Sequence, residues 1–256
     1  MIRPFAALAW NGFREARRNR VTLVVGLFAI ALLASSVLVT EVTVHTFYRV
    51  MTDVGLGVMS AMLVLLAIFL SSGLLSREIE RRTVFLIVTK PVSRSLFLLG
   101  RLAGNMLTLT VLALGMAAIF SAELLMYHLG INAAQLVAIG VLWFELLLLS
   151  SFGFLMSSFS SQIVSAVVTT GIYFAGHLAN DIYAIASRSK SGFIQVAGKV
   201  TYYLLPNLSR LNYRPQASYA ASIAPADVFR SIAYASVYAG ALVALAIILF
   251  NRRDFK

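Results

Sequence analysis

SREIERRTVFLIVTKPVSRSLFLLGR, residues 76–101, is the stretch on which the reading of the chain turns. It gathers Arg77, Arg81, Arg82, Lys90, Arg94 and Arg101 between two apolar runs, each long enough to cross a bilayer. A basic loop between two spans is retained on the cytoplasmic side of a membrane. Within it Ile79, Thr83, Leu86 and Ile87 recur at three- and four-residue steps, which predicts a short amphipathic helix. Pro91 ends that helix, because proline lacks an N–H donor and disfavours helix at the preceding Lys90. Ser93 can cap a new helix start. The loop therefore offers the cytosol a short helix, a break and a return into the membrane.

The composition around the loop excludes a soluble protein. Of 256 residues, 60% are hydrophobic and only 12% charged, with a mean hydropathy of +0.87. So few charges cannot cover the surface of a water-soluble domain, so the chain is an integral membrane protein. The formal charge of +11 does not point to nucleic acid, because most of the basic residues sit where topology places them. There is no cysteine, hence neither a disulfide framework nor a thiolate metal site.

Working outward, the apolar runs predict an all-α bundle of six spans at about 21–40, 54–75, 102–125, 134–156, 162–184 and 231–250, forming a single domain over 1–256 with both termini cytoplasmic. Ahead of the first span, Ile2, Phe5, Ala9, Phe13 and Ala16 form an apolar stripe flanked by Arg3, Arg14, Arg17 and Arg18. That pattern predicts an interfacial helix with Trp10 as a headgroup-level anchor. Residues 185–230 make the one large loop, placed outside. Within it Phe193, Ile194, Val196, Ala197, Val200 and Leu204 have helical spacing but too short a run to cross, which predicts an interfacial or re-entrant helix. The loop is basic (Arg188, Lys190, Lys199, Arg210, Arg214, Arg230), against the usual charge bias, yet no spare apolar run exists to place it inside.

The residues Glu78, Glu80, Thr83, Pro91, Ser93, Arg94, Leu99, Gly100 and Arg101 resemble the first cytoplasmic loop of ABC-2 type transporter permeases, the membrane subunits of a class of ATP-driven transporters. That loop reads as paired acids, Thr, an apolar run, Pro-x-Ser-Arg, then Leu-Gly and a basic residue. Where many members have Gly before the Thr, this chain has Arg82. The segment PNLSRLNYRP is similar to the family's corresponding outer loop. The resemblance implies an elbow helix at the start of the chain and a coupling helix in the basic loop, with Glu78, Glu80, Arg81, Arg82, Thr83, Lys90, Pro91, Ser93 and Arg94 docking on a cytosolic ATPase. It also implies an ATPase dimer carrying ATP and Mg, a second permease copy, and residence in the cytoplasmic (inner) membrane of a prokaryote. Room is left for an extracytoplasmic accessory protein. The chain looks closest to the small permeases of operons for copper-enzyme maturation, gliding and antibiotic export, which implies export. The plain alternative for residues 76–101 is a solvated loop that only fixes topology.

The chemistry of an enzyme is missing its parts. The nearest approach to a phosphate-cradling loop, Gly192 to Gly198-Lys199-Val200, has the wrong spacing and no hydroxyl. Neither H-E-x-x-H nor G-x-S-x-G occurs. The chain itself is therefore expected to carry no cofactor and no catalytic residue. Ionisable residues inside spans remain functional candidates. Glu145 should lie near mid-membrane, and Glu123 near the outer end of its span, where it could snorkel. His177 and Asp181, four apart with Asn180 beside them, should share a helix face. These residues either line a translocation path, as a proton- or metal-sensitive pair would, or fix the bundle by interhelical hydrogen bonds. A proton-coupled secondary transporter using Glu145 or His177 is the first rival reading, and an intramembrane enzyme using His177 and Asp181 the second.

The absence of cysteine makes topology testable. Single cysteines at Ser191 and Ser218 should react with a membrane-impermeant maleimide in intact cells, and one at Ser93 should not. Labelling at Ser93 from outside would overturn the arrangement.

Overall fold

The computed structural model describes residues 2–18, 21, 23–42, 46–80 and 93–252, and every regular element among them is helical. In order these are α1 (Ile2–Arg18), α2 (Leu23–Val42), α3 (Phe47–Glu80), α4 (Arg94–Met126), α5 (Ala133–Ser157), α6 (Gln162–His177), α7 (Ala179–Ser187), α8 (Gly192–Leu204), a single 3₁₀ turn (Leu208–Leu211), α9 (Arg214–Ser218) and α10 (Pro225–Arg252). Among the described residues four stretches are long and apolar enough to cross a membrane: Phe47–Gly73, Ser95–Met126, Ala133–Ser157 and Pro225–Asn251. A fifth crossing exists if α6 and α7, bent by 58° at Leu178, form one broken span. The first expected span falls on α2, a 20-residue helix whose stretch Leu23–Val37 is apolar.

α3 is the hub. It lies against α2, α4, α5, α6 and α9, while α10 packs on the far side of α5. Leu63, Leu109, Met116, Leu146 and Leu149 fill the middle. Gly55 lets the Phe120 ring sit on the α3 backbone, since a Cβ there would fall 2.3 Å from the ring. Chain direction gives the bundle two ends. The proximal end carries α1, the C-terminus of α3 and the N-terminus of α4; the distal end carries the α4–α5 turn, α9 and the start of α10. At the distal end Asn132 and Gln135 form a capping box that starts α5. The same two side chains reach α3, where Gln135 donates to Thr52 and both donate to the Tyr48 hydroxyl.

At the proximal end Ser93 caps α4 as expected, accepting from the Leu96 amide at 3.3 Å. The expected amphipathic helix and proline break, with Arg81, Arg82, Thr83, Lys90 and Pro91, lie outside the described residues. Glu78 and Glu80 belong to the last turn of α3 and Arg94 opens α4, their side chains also outside. The stripe on α1 has a cause beyond lipid. Its Leu8–Ala9–Gly12–Ala16 side packs on α4 at Gly100 and Gly104, and Glu15 pairs with Arg101 at 2.8 Å, while Trp10 stays exposed. Ser218, expected to be open to reagent, is buried with its hydroxyl on Asp53 and on the Arg214 carbonyl. Ser191 is exposed, so it is the position that reports sidedness.

The α1–α4 contact depends on the missing side chains. A Cβ on Gly104 would lie 2.7 Å from the Ala9 carbonyl oxygen, a backbone atom with nowhere to go. Gly104→Ala should therefore destabilise by about 1–3 kcal/mol through overpacking. Gly140, with nothing within 4 Å, should tolerate alanine or gain slightly. Thermal unfolding of the purified protein in detergent distinguishes the two.

Candidate functional site

Glu145 stands 12 residues, about 18 Å, from either end of α5 and is 3% exposed. α6 climbs from the proximal end for 16 residues, about 24 Å, and stops at His177 beside it. The His177 Nε2 and Glu145 Oε1 atoms are 2.9 Å apart. Tyr173, one turn earlier on α6, presents its ring edge to the imidazole at 4.7 Å between centroids and meets Ser60 of α3 with its hydroxyl. A carboxylate this deep in an apolar bundle is tolerated only with a partner or water, and here it has the imidazole.

The helix break makes this meeting possible. Beyond Leu178 the chain turns by 58°, and the freed His177 carbonyl accepts the Ser209 hydroxyl. Ser209 arrives on a loop that folds back into the bundle. Gly176 admits it, because a Cβ there would lie 2.6 Å from the Pro206 carbonyl oxygen and 2.8 Å from Leu208. The loop is held on several sides. Asn207 donates through its side chain to Asn180 and through its amide to the Tyr234 hydroxyl, both at 2.8 Å. Tyr213 and Ser231 hydroxyls lie 3.0 Å apart, and Ser231 donates to the Arg210 carbonyl. Leu208, Leu211 and Ala217 are fully packed.

Arg214 completes the surroundings. Its Nε donates to Asn212 at 3.0 Å, and the guanidinium lies over Gly57 of α3. Together with Ser60, Leu142, Glu145 and Tyr213 it walls a cavity of about 10 Å³, room for a single water. One small cavity thus carries a carboxylate, a guanidinium, a phenol and a hydroxyl, with imidazole behind. That set can hold and pass a proton, or hold a polar group away from lipid. It lacks the ligands of a stable metal site: among the described residues no third His, Asp or Glu joins the pair.

Two sequence expectations are corrected by this geometry. His177 and Asp181 do not share one helix face, because the break falls between them; Asp181 is exposed on α7 and Glu145 takes its place as partner. Glu123 does not snorkel. It lies on the inward phase of α4 beside Phe120 and Leu124, 4% exposed, facing the Ser36 hydroxyl of α2. The sequence reading missed Ser60, Tyr173, Ser209 and Arg214. One signal was present for Arg214: residues 182–226 hold five basic residues and no acidic one, so a member turned inward must look elsewhere for its counter-charge.

Residues 6–255 match the family described as ABC-2 family transporter protein. The chain belongs to that family. A comparison with curated proteins finds no match.

This ABC-2 family member is thus a multi-pass membrane permease of ABC transporters, and the Glu145–His177 pair is a buried polar contact between two of its helices. Such a pair fails when one side is removed, because the other is left desolvated. Glu145→Leu or His177→Leu alone should cost the permease about 3–5 kcal/mol of stability. The double variant should lose less than the sum, with a coupling of about 1–3 kcal/mol. Thermal unfolding of the four proteins checks this. Additive losses would mean that the 2.9 Å contact contributes nothing.

Proposed function

We propose that this permease is the membrane half of an ATP-driven exporter of the cytoplasmic membrane of a prokaryote, with six spans, both termini inside and residues 185–230 outside. The observation that carries the reading is family membership over nearly the whole chain, joined to a buried acid–imidazole pair at a broken helix in mid-bundle. In this reading α2 and the α6–α7 pair supply the first and fifth crossings, and α1 is the elbow helix. Residues 81–92, with Glu78, Glu80, Ser93 and Arg94 on either side, form the coupling surface. A cytosolic ATPase dimer docks there and supplies hydrolysis of ATP with Mg, and a second permease copy completes the complex. Glu145 and His177 lie along the path of the exported molecule.

Helix breaks near the midplane also characterise secondary transporters, so a proton-coupled mechanism through Glu145 and His177 is the second reading. Export that survives ATP depletion would favour it. Asp181, exposed and separated from His177 by the bend, gives no support to an intramembrane enzyme.

Docking is tested by charge reversal. Glu78→Lys or Glu80→Lys should weaken assembly with the ATPase by about 2–5 kcal/mol if the acid sits in a buried interfacial charge pair, while insertion stays normal. Arg230→Gln, which breaks only an exposed pair with Asp227, is the control. The measurements are co-purification of the ATPase and its hydrolysis rate in proteoliposomes. Wild-type binding and rates in both reversals would remove this loop as the docking site.

A further inference from the structure

We infer that residues 207–218 are a gate across the distal end of the bundle and that Arg214 is its latch. The inference rests on the reading that the distal end faces outside and that Glu145 lies on the path. Four observations carry it. The segment is loop and short turns, yet Leu208, Leu211, Tyr213, Ala217 and Ser218 are buried as deeply as the spans around them. It occupies the space above the Glu145–His177 pair that the bend at Leu178 leaves vacant, reaching α6 through Ser209 on the His177 carbonyl. Its other ties are to parts that belong to different helices: Asn180 on α7, Tyr234 and Ser231 on α10, and Asp53 on α3. Its one inward cation, Arg214, shares a one-water cavity with Glu145 but forms its closest described hydrogen bond with its own neighbour Asn212.

These facts separate a gate from a permanent seal. A seal would be packed by apolar side chains alone, or fixed by a direct ion pair to the bundle. Here a few buried side chains, Leu208, Leu211 and Ala217, are joined by single hydrogen bonds, all but the Ser218–Asp53 one to neutral groups and each replaceable by water at a net cost of about 1 kcal/mol. The charge of Arg214 sits across a cavity from Glu145 with room for only one water between the walls. Withdrawing the loop exposes Ser60, Leu142 and Glu145 to the distal side and leaves α3, α5 and α6 in place. Arg214 opposes this through its attraction to Glu145, and lets go when water or a passing polar group enters the cavity.

The test needs neither substrate nor ATPase. In the cysteine-free chain, Ser60→Cys places a thiol on the cavity wall beneath the gate, and a membrane-impermeant maleimide is added to intact cells. With the gate intact the thiol should react slowly. Adding Arg214→Gln should raise the rate at least about tenfold, as expected for loss of a contact of about 1.4 kcal/mol, and Arg214→Lys should restore most of the protection. Ser209→Ala, a milder change that keeps every charge, should also accelerate labelling and serves if Arg214→Gln does not accumulate. Ser150→Cys, buried nearer the proximal end, should stay unreactive throughout. Equal rates at Ser60 with and without Arg214→Gln and Ser209→Ala would overturn the gate, as would parallel acceleration at Ser150, which marks general loosening. Ser191→Cys distinguishes the two failures. If it labels from outside while Ser60 ignores both variants, the gate falls and the export reading stands. If it labels only from inside, the topology falls and the gate with it.

Discussion

A backbone carbonyl in an apolar bundle must find a donor within the protein, because lipid offers none. That constraint shapes the centre of this molecule. α6 stops at His177, near the level of Glu145, and its loose carbonyl is met by Ser209, which obliges a loop to leave the distal surface and descend into the bundle. With that loop come Asn207, Tyr213 and Arg214, none of which could sit in mid-bundle without partners. The broken helix, the buried pair and the inserted loop are one solution to one problem.

The same solvent explains why glycines and hydroxyls do so much of the packing. Between helices in lipid there is little hydrophobic drive, so association relies on close van der Waals contact and hydrogen bonds. The Ser165 hydroxyl of α6 donates to the Gly153 carbonyl of α5, and Gly153 in turn leaves space for Ser71 of α3. Gly198 lets α8 lie on Ala186 of α7, where any Cβ would collide.

The apolar runs made most crossings legible in the sequence, and α3, α4, α5 and α10 fall where those runs predict, each a few residues longer at one or both ends. Ser93 as a cap was legible too, because capping is a local matter. The break at Leu178 was not. No proline or turn glycine marks it; the carbonyl freed there, that of His177, is met by Ser209, 32 positions on. The inward turn of Glu123 and the protein-facing half of the α1 stripe were hidden for a related reason. Periodicity says which residues share a face but not whether lipid or another helix lies against it. Two members of the candidate site, Glu145 and His177, could be named from residue type and depth, whereas Arg214 required knowing where a loop goes.

α3 runs from Phe47 to Glu80 with no proline and no described interruption, about 50 Å of continuous helix. Beyond Gly73 its last turns, Leu74–Glu80, add about 10 Å of helix. At its other end the same rod holds Gly57 under Arg214 and Ser60 at the cavity wall. One close seat along the way is where Gly153 leaves room for Ser71. A rod pinned there has unequal arms: nine residues, about 14 Å, toward Glu80, and eleven to Ser60, about 17 Å. Pushing the short arm sideways swings the long one by slightly more in the opposite sense, so a displacement at the proximal end of the rod would reach the cavity wall undiminished and inverted.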